Sequence, residues 1–318
     1  MKIFVAGASG AIGKQLVPLL VDAGYEVVGT TTSAGKAGDL RALGAEPVVL
    51  DLLDAKAVGR AVSEAAPDVV VHEATALAPV GGNLRKFDEA FAQTNRLRTE
   101  GTDNLLAAAR AVGVRKLVAQ SYAGWPYARE GAAVKDEEAP LDDNPAGNAK
   151  ETIAAIRRLE ERVVAADGIV LRYGGFYGPG TSLAVGGEML EAIRKRMFPV
   201  VGSGAGMASF IHIEDAARAT LAAIVRGEPG IYNIVDDEPA PASEWLPYLA
   251  DAVGAKPPRH VPLWLGRLMA GEALATMVTE GRGASNAKAK RELGWQLLYP
   301  SWREGFVDGL GEETRRAA

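Results

Sequence analysis

Short apolar runs rich in β-branched residues alternate with amphipathic stretches along the first half of the chain. KIFVAG is followed by AIGKQLVPLLVDAG, then YEVVGTTT, AGDLRALG, EPVVL, AKAVGRAVSEAA and DVVVHEA. Runs such as Val69-Val70-Val71 are apolar at successive positions, so both faces of the pleat face apolar neighbours, the pattern of a parallel strand covered by helices on either side. The stretches between them carry apolar residues at helical spacing. This β-α-β rhythm predicts an α/β fold with a doubly wound parallel sheet. A long helical stretch from Leu84 to Val112, the strand RKLVAQS, a helix from Asn148 to Ala166 and the strand of GIVLRYGG extend it.

After Gly178-Pro179-Gly180 the pattern changes. Glycine and proline become frequent, strands shorten to pieces such as IYNIV, and small helices such as SEWLPYLADAVG appear. This predicts a main domain over residues 1–180, with returns to it from about 210–235, and a smaller mixed α/β lobe over 181–318 that covers substrate. In that lobe VPLWLGRLMAGEALATMV places Trp264, Leu265, Leu268, Met269, Leu274 and Met277 at helical spacing. The stripe reads either as core or as an apolar lid suited to a hydrophobic substrate.

Composition narrows the function classes. Hydrophobic residues make up 48% and charged residues 24% of the 318, the balance of a globular protein. The net charge of −5 is spread over interspersed acids and bases, so no phosphate-backbone partner is expected. The opening MKIFVAGASG is too short an apolar run for a secretory core or a membrane span, which predicts a cytoplasmic location. With no Cys, disulfides, thiolate nucleophiles and thiolate metal ligation are excluded. His72, His212 and His260 are scattered, so no metal site is expected.

The segment VAGASGAIG places Gly7, Gly10 and Gly13 between the first strand and the first helix. Glycines there allow a tight turn, close approach of the backbone to a pyrophosphate and close strand–helix packing. GASGAIG, together with VLDLLD, VVHEA, TNRLRTEGTDNLLAAARAVGVRKLV and LRYGGFYGPG, resembles the extended or atypical short-chain dehydrogenase/reductase superfamily, the NAD(P)-dependent epimerase/dehydratase group. The resemblance covers nearly the whole chain. It implies a Rossmann-type domain whose loop, Gly7, Ser9, Gly10, Ala11, Ile12 and Gly13, holds the dinucleotide. It also implies that Asp51 and Leu52 border the adenine, that Ala74 and Thr75 line the ribose, and that Asn95 braces the middle helix near the cofactor. At the end of the second strand stand Thr30, Thr31, Thr32 and Ser33, with Lys36 beyond and no carboxylate to repel a 2′-phosphate. NADP is therefore expected over NAD.

The same resemblance implies a Ser or Thr after the fifth strand and a Tyr-x-x-x-Lys pair on the next helix. The Tyr would exchange a proton with a substrate oxygen, and the Lys would lower its pKa. Ser121 falls on the first of these positions. Thr152 and Ile156 fall on the other two, and no Tyr occurs anywhere from residue 128 to 172. Arg157 and Arg158 beside the empty Lys position are either solvated charges or phosphate contacts. Any replacement proton donor must come from Tyr122, Tyr127, Tyr173 or Tyr177, all leaving strand ends on the crevice side. Tyr173 is the first candidate and Tyr122 the second. His72 is open to an acid/base or a buried structural role, with Glu73 as its partner or as an exposed carboxylate. His212 reads as structural, with Asp215 capping the helix that follows.

These features point to an NAD(P)-dependent oxidoreductase acting on a small carbonyl or alcohol through a non-standard proton donor. A non-catalytic NADP(H) sensor and a sugar-nucleotide epimerase or dehydratase are the alternatives. A homodimer built on the two long helices is implied by the resemblance.

Overall fold

The computed structural model describes residues 1–76 and 86–311. Seven strands form one parallel sheet: β1 (Lys2–Ala6), β2 (Glu26–Thr31), β3 (Glu46–Val49), β4 (Val69–His72), β5 (Lys116–Tyr122), β6 (Ile169–Tyr173) and β7 (Gly230–Ile234). Their order is β7-β6-β5-β4-β1-β2-β3. Every neighbouring pair is parallel. The order reverses between β1 and β4, and beyond the carboxyl ends of the strands at such a reversal open α/β sheets bind their ligands.

The helices are α1 (Ala11–Asp22), α2 (Ala37–Ala42), α3 (Ala55–Ala65), α4 (Phe87–Arg96), α5 (Thr102–Val112), α6 (Lys150–Val164) and α7 (Glu188–Arg194). After them come α8 (Ile213–Arg226), α9 (Ala242–Ala252), α10 (Leu263–Ala270), α11 (Glu272–Glu280), α12 (Ala287–Leu293) and α13 (Trp302–Asp308). Strand alternation explains the layers. Ile3 and Val5 of β1 join a core with α1 and α8, whereas Phe4 and Ala6 join the opposite core with α3, α5 and α6.

Two expectations change in detail. Of the stretch from Leu84 to Val112, Leu84 lies outside the described residues, Phe87–Arg96 is helical, and a π-helical turn, Leu97–Gly101, divides α4 from α5. The returns to the main domain also extend past 235, because Ala289, Leu293 and Trp295 pack into the α1/α8 core. The remaining C-terminal elements enclose a separate core of Leu190, Trp245, Leu249, Trp302 and Phe306. Among the described residues, no helix is long and apolar enough to cross a membrane.

Candidate active site

The turn from β1 into α1 is dictated by its backbone. Gly7 has a φ of 89°, and a Cβ there would lie 2.7 Å from the Ala74 Cα at the end of β4. At Gly13 a Cβ would lie 2.3 Å from the Ala8 carbonyl oxygen. Gly10 begins the helix with no side-chain cap, and the first bond into it runs from the Lys14 N–H to the Gly10 carbonyl at 3.0 Å. The N–H groups of Ala11, Ile12 and Gly13 have no acceptor among the described residues. Free N–H groups, a positive dipole end and a floor without side chains fit a pyrophosphate.

Side chains from β2 prop this turn. The Gly7 N–H donates to Thr30 Oγ1 at 3.0 Å, and Ser9 Oγ donates to Thr31 Oγ1 at 3.0 Å. Thr31 is buried and its hydroxyl also accepts from the Ser33 N–H at 3.2 Å. This differs from the expectation for Thr31, whose hydroxyl is engaged inside the turn. The exposed polar groups are those of Thr32, Ser33 and Lys36. Next to them Asp51 is exposed and accepts from the Leu53 N–H, while Leu52 is buried and its carbonyl accepts from Asn104. Asp54 caps α3. Ala74 and Thr75 are half-buried beside the glycine turn.

At the far side of the crevice, several expected polar groups are bonded within the protein. Ser121 Oγ donates to Glu160 Oε1 at 2.7 Å, and Arg172 grips the same carboxylate through two bonds of 2.8 and 2.7 Å. All three residues are buried. Tyr173, expected at the crevice, is instead 1% exposed in the α1/α8 core. Its hydroxyl donates to Glu73 Oε1 at 3.1 Å and lies 2.7 Å from Thr220 Oγ1. Burial and the neighbouring Glu73 carboxyl hold that phenol well above its ordinary pKa. Tyr127 is likewise enclosed, donating to Asn233 Oδ1 at 2.5 Å, and Tyr177 is fully buried with its hydroxyl unpartnered. Of the four candidate tyrosines only Tyr122 is half-buried, and no hydrogen bond engages its hydroxyl among the described residues.

The aligned helix positions are equally closed. Thr152 Oγ1 donates to Asp88 Oδ1 at 2.7 Å and accepts from Asn95 Nδ2 at 3.0 Å, while Ile156 is fully buried. Asn95, implied near the cofactor, therefore braces α4 against α6. Ile153, Leu159 and Val163 complete the buried stripe. Arg157 pairs with Asp143 and Arg158 with Asp103 at the surface.

The histidines take structural roles. His72 is buried with Nε2 3.3 Å from the Leu97 carbonyl, and burial pushes its pKa down to about 4. Glu73 is neither its partner nor exposed, and burial raises its carboxyl to about 8. His212, not Asp215, caps α8 by accepting from the Glu214 N–H. Asp215 accepts instead from the N–H groups of Leu298 and Tyr299, tying the C-terminal segment to α8.

Two groups were not legible as site residues. Glu160 lies in the polar run RRLEERVV yet faces inward, and Arg98, in the π-helical turn, is 8% exposed with Nη1 unpartnered. A small cavity of about 20 Å³ separates the loop after β5 from α11, lined by Trp125, Ile153, Ala273 and Met277 among others. A larger concavity of about 860 Å³ runs past Lys116 and Arg162, at the amino end of β5 and so on the wrong edge for a dinucleotide. The apolar stripe of the second lobe is split between α10 and α11, leaving Trp264, Leu268 and Met269 more than half exposed rather than in a core.

The sequence profile of the NAD dependent epimerase/dehydratase family matches residues 3–235. A 3-diazoavenalumate denitrifying reductase from a Streptomyces species is 44% identical, with 98% of this chain and 100% of that protein covered. A 2-alkyl-3-oxoalkanoate reductase from Stenotrophomonas maltophilia is 31% identical over 80% of this chain and 76% of its own. The crystal structure of the Thermus thermophilus UDP-glucose 4-epimerase in complex with NAD superimposes with a TM-score of 0.73 at 25% identity, covering all of both chains. The chain thus belongs to the NAD dependent epimerase/dehydratase family, as an NAD(P)-dependent oxidoreductase.

Proposed function

We propose that the protein is an NADPH-preferring reductase that replaces a diazo group by hydrogen on a small, hydrophobic acid. The observation that carries this reading is that Thr152 and Ile156 are closed into the helix packing, where the resemblance implies a proton-transferring pair. A bound reduced nicotinamide supplies hydride, and R–N₂⁺ + H⁻ → R–H + N₂ balances in atoms and charge without protonation of a substrate oxygen. Such a reaction asks nothing of a Tyr-Lys pair. The likeness to the Streptomyces reductase along its full length supports the reading.

The chain's own residues then have limited tasks. The N–H groups of Ala11, Ile12 and Gly13 hold the pyrophosphate. Thr32, Ser33 and Lys36 meet the 2′-phosphate, Asp51 and Leu52 border the adenine, and Ala74 and Thr75 the ribose. The Tyr122 and Trp125 rings, with centroids 6.1 Å apart, form an apolar wall with Met277 that excludes water from the reacting carbon. A homodimer on α4–α6 and a cytoplasmic location follow the family pattern; light scattering of the purified protein checks the first.

A second reading is ketone reduction, favoured by the Tyr122 hydroxyl, unbonded among the described residues, and by the oxoalkanoate reductase relative. Here Tyr122, not the enclosed Tyr173, gives the proton. Reduced-nicotinamide consumption and dinitrogen release are measured with an aryl diazo acid, and consumption again with a panel of ketones. One dinitrogen released per NADPH consumed, a ratio that Tyr122→Phe keeps even where its KM rises, supports the first reading. Turnover of ketones alone, lost in Tyr122→Phe, replaces it with the second. No consumption of either substrate sinks both.

A further inference from the structure

The π-helical turn between α4 and α5 carries a buried cation with no partner among the described residues. Arg98 follows the buried Thr94 by four residues and Asn95 by three, so it lies on their inward face, where Leu97 beside it is buried too. Arg98 is 8% exposed, forms no ion pair or hydrogen bond among the described residues, and leaves Nη1 unsatisfied. Its electrostatic neighbours are Tyr122, His72 and Glu160. His72 is held neutral by burial, with its pKa lowered to about 4. Glu160 is already held by both bonds from Arg172 and by Ser121. Two buried guanidinium groups therefore share the field of one carboxylate, and the surplus positive charge acts on Tyr122, whose hydroxyl is unbonded among the described residues.

A buried guanidinium without a counter-charge is strongly unfavourable, and the polar groups that lower its energy must come from elsewhere. We infer that Arg98 and the Tyr122 hydroxyl together form a binding site for an anionic oxygen of the substrate, a carboxylate or a phenolate, at the crevice end of β5. Arg98 offers planar donors that suit such an oxygen, and Tyr122 adds a neutral donor. The site rests on the reductase reading only in taking the ligand to be the substrate. It places the acid group of the substrate rather than reacting with it.

The test uses benzoate, 4-nitrophenolate and neutral benzamide as probes of the full-length protein, read by thermal shift and calorimetry. At least one anion is expected to stabilise the wild type more than benzamide does, and which of the two does so identifies the oxygen. Arg98→Gln should bind that anion about 10- to 100-fold more weakly, while Arg98→Lys keeps part of the affinity. Because the substitution removes an uncompensated buried charge, the melting temperature of Arg98→Gln should stay level or rise; a purely structural arginine would lower it. With a turned-over acid substrate, KM should rise in Arg98→Gln far more than kcat falls. Equal binding of anions and benzamide by the wild type, or an unchanged anion affinity in Arg98→Gln, overturns the inference while leaving the reductase reading intact. Loss of anion binding in Arg98→Gln, with no diazo reduction by the wild type, leaves the site and removes that reading.

Discussion

At the turn between β1 and α1 the groups proposed to meet a ligand are backbone N–H groups, whereas at the end of β5 they are the side chains of Arg98 and Tyr122, from two elements. The first region needs only glycine at Gly7 and Gly13, because a Cβ at either would strike the neighbouring backbone. The second depends on which polar atoms remain after the protein has bonded its own. Ser121, Glu160, Arg172 and Tyr173 are all engaged with one another or with Glu73 and Thr220. Backbone recognition therefore survives changes in chemistry, while side-chain recognition can be absorbed into packing and rebuilt around Arg98 and Tyr122.

The sharpest way to break the contrast is at the turn. Gly13→Val drives methyl groups into the Ala8 carbonyl, so α1 must separate from β1. Pyridine nucleotide binding by calorimetry should vanish, and retained affinity would mean that the backbone cradle is not the anchor. The next effect lies at the β5 end. Arg172→Met strands the buried Glu160 charge and should cost about 3–5 kcal/mol of unfolding free energy in urea titration. Changing Glu160 to Leu in the same chain should recover part of that loss, since the stranded carboxylate is then gone. A small cost for the single variant would show that the pair is hydrated and accessible to substrate.

The same contrast governs what the sequence discloses. The fold is legible because strand alternation and helical spacing are local, and the cofactor turn is legible because its glycines answer steric demands within a few residues. The β5 end is not, since Ser121 and Glu160 are 39 positions apart and Glu160 reads as one more charge on a polar helix face. Arg98 is hidden for another reason. In TNRLRTEG it reads as one of two arginines in a polar stretch, and only its spacing of four from the buried Thr94 sets it on the inward face, opposite the exposed Arg96. The parity of β5 offered one usable signal: adjacent residues of a strand face opposite ways, so Ser121 and Tyr122 could not both face the crevice.

A smaller effect tests whether the Tyr173 region is as closed as its contacts imply. Burial raises the Glu73 carboxyl from 4.5 to about 8, so between these values the folded protein binds more protons than the unfolded chain. Stability from this group is complete below 4.5, falls as pH rises, and is lost above about 8. Asp236 is raised in the same sense by burial, also to about 8, so Glu73→Gln should flatten the decline without abolishing it. His72 acts oppositely, losing its contribution as pH falls through about 4. Calorimetric melting temperatures across this range compare the two proteins. Parallel curves would show that Glu73 ionises freely in the folded state, and that the Tyr173 hydroxyl is open to water.

The mildest perturbation lies at the rim of the backbone-built half, where side chains enter recognition again. Thr32, Ser33 and Lys36 are exposed at the end of β2, and Thr31 beneath them is engaged with Ser9 and Ser33. A 2′-phosphate there would meet hydroxyls and one flexible ammonium in high dielectric, where each charge contact contributes little. Lys36→Glu should therefore weaken NADPH binding only about three- to tenfold, and leave NADH unchanged. The difference should shrink as salt is added, because screening at the surface falls on the charge term alone. Fluorescence titration of both cofactors at low and high ionic strength measures it. Equal weakening of NADPH and NADH would remove the case for NADP, and would locate Lys36 against the pyrophosphate shared by both.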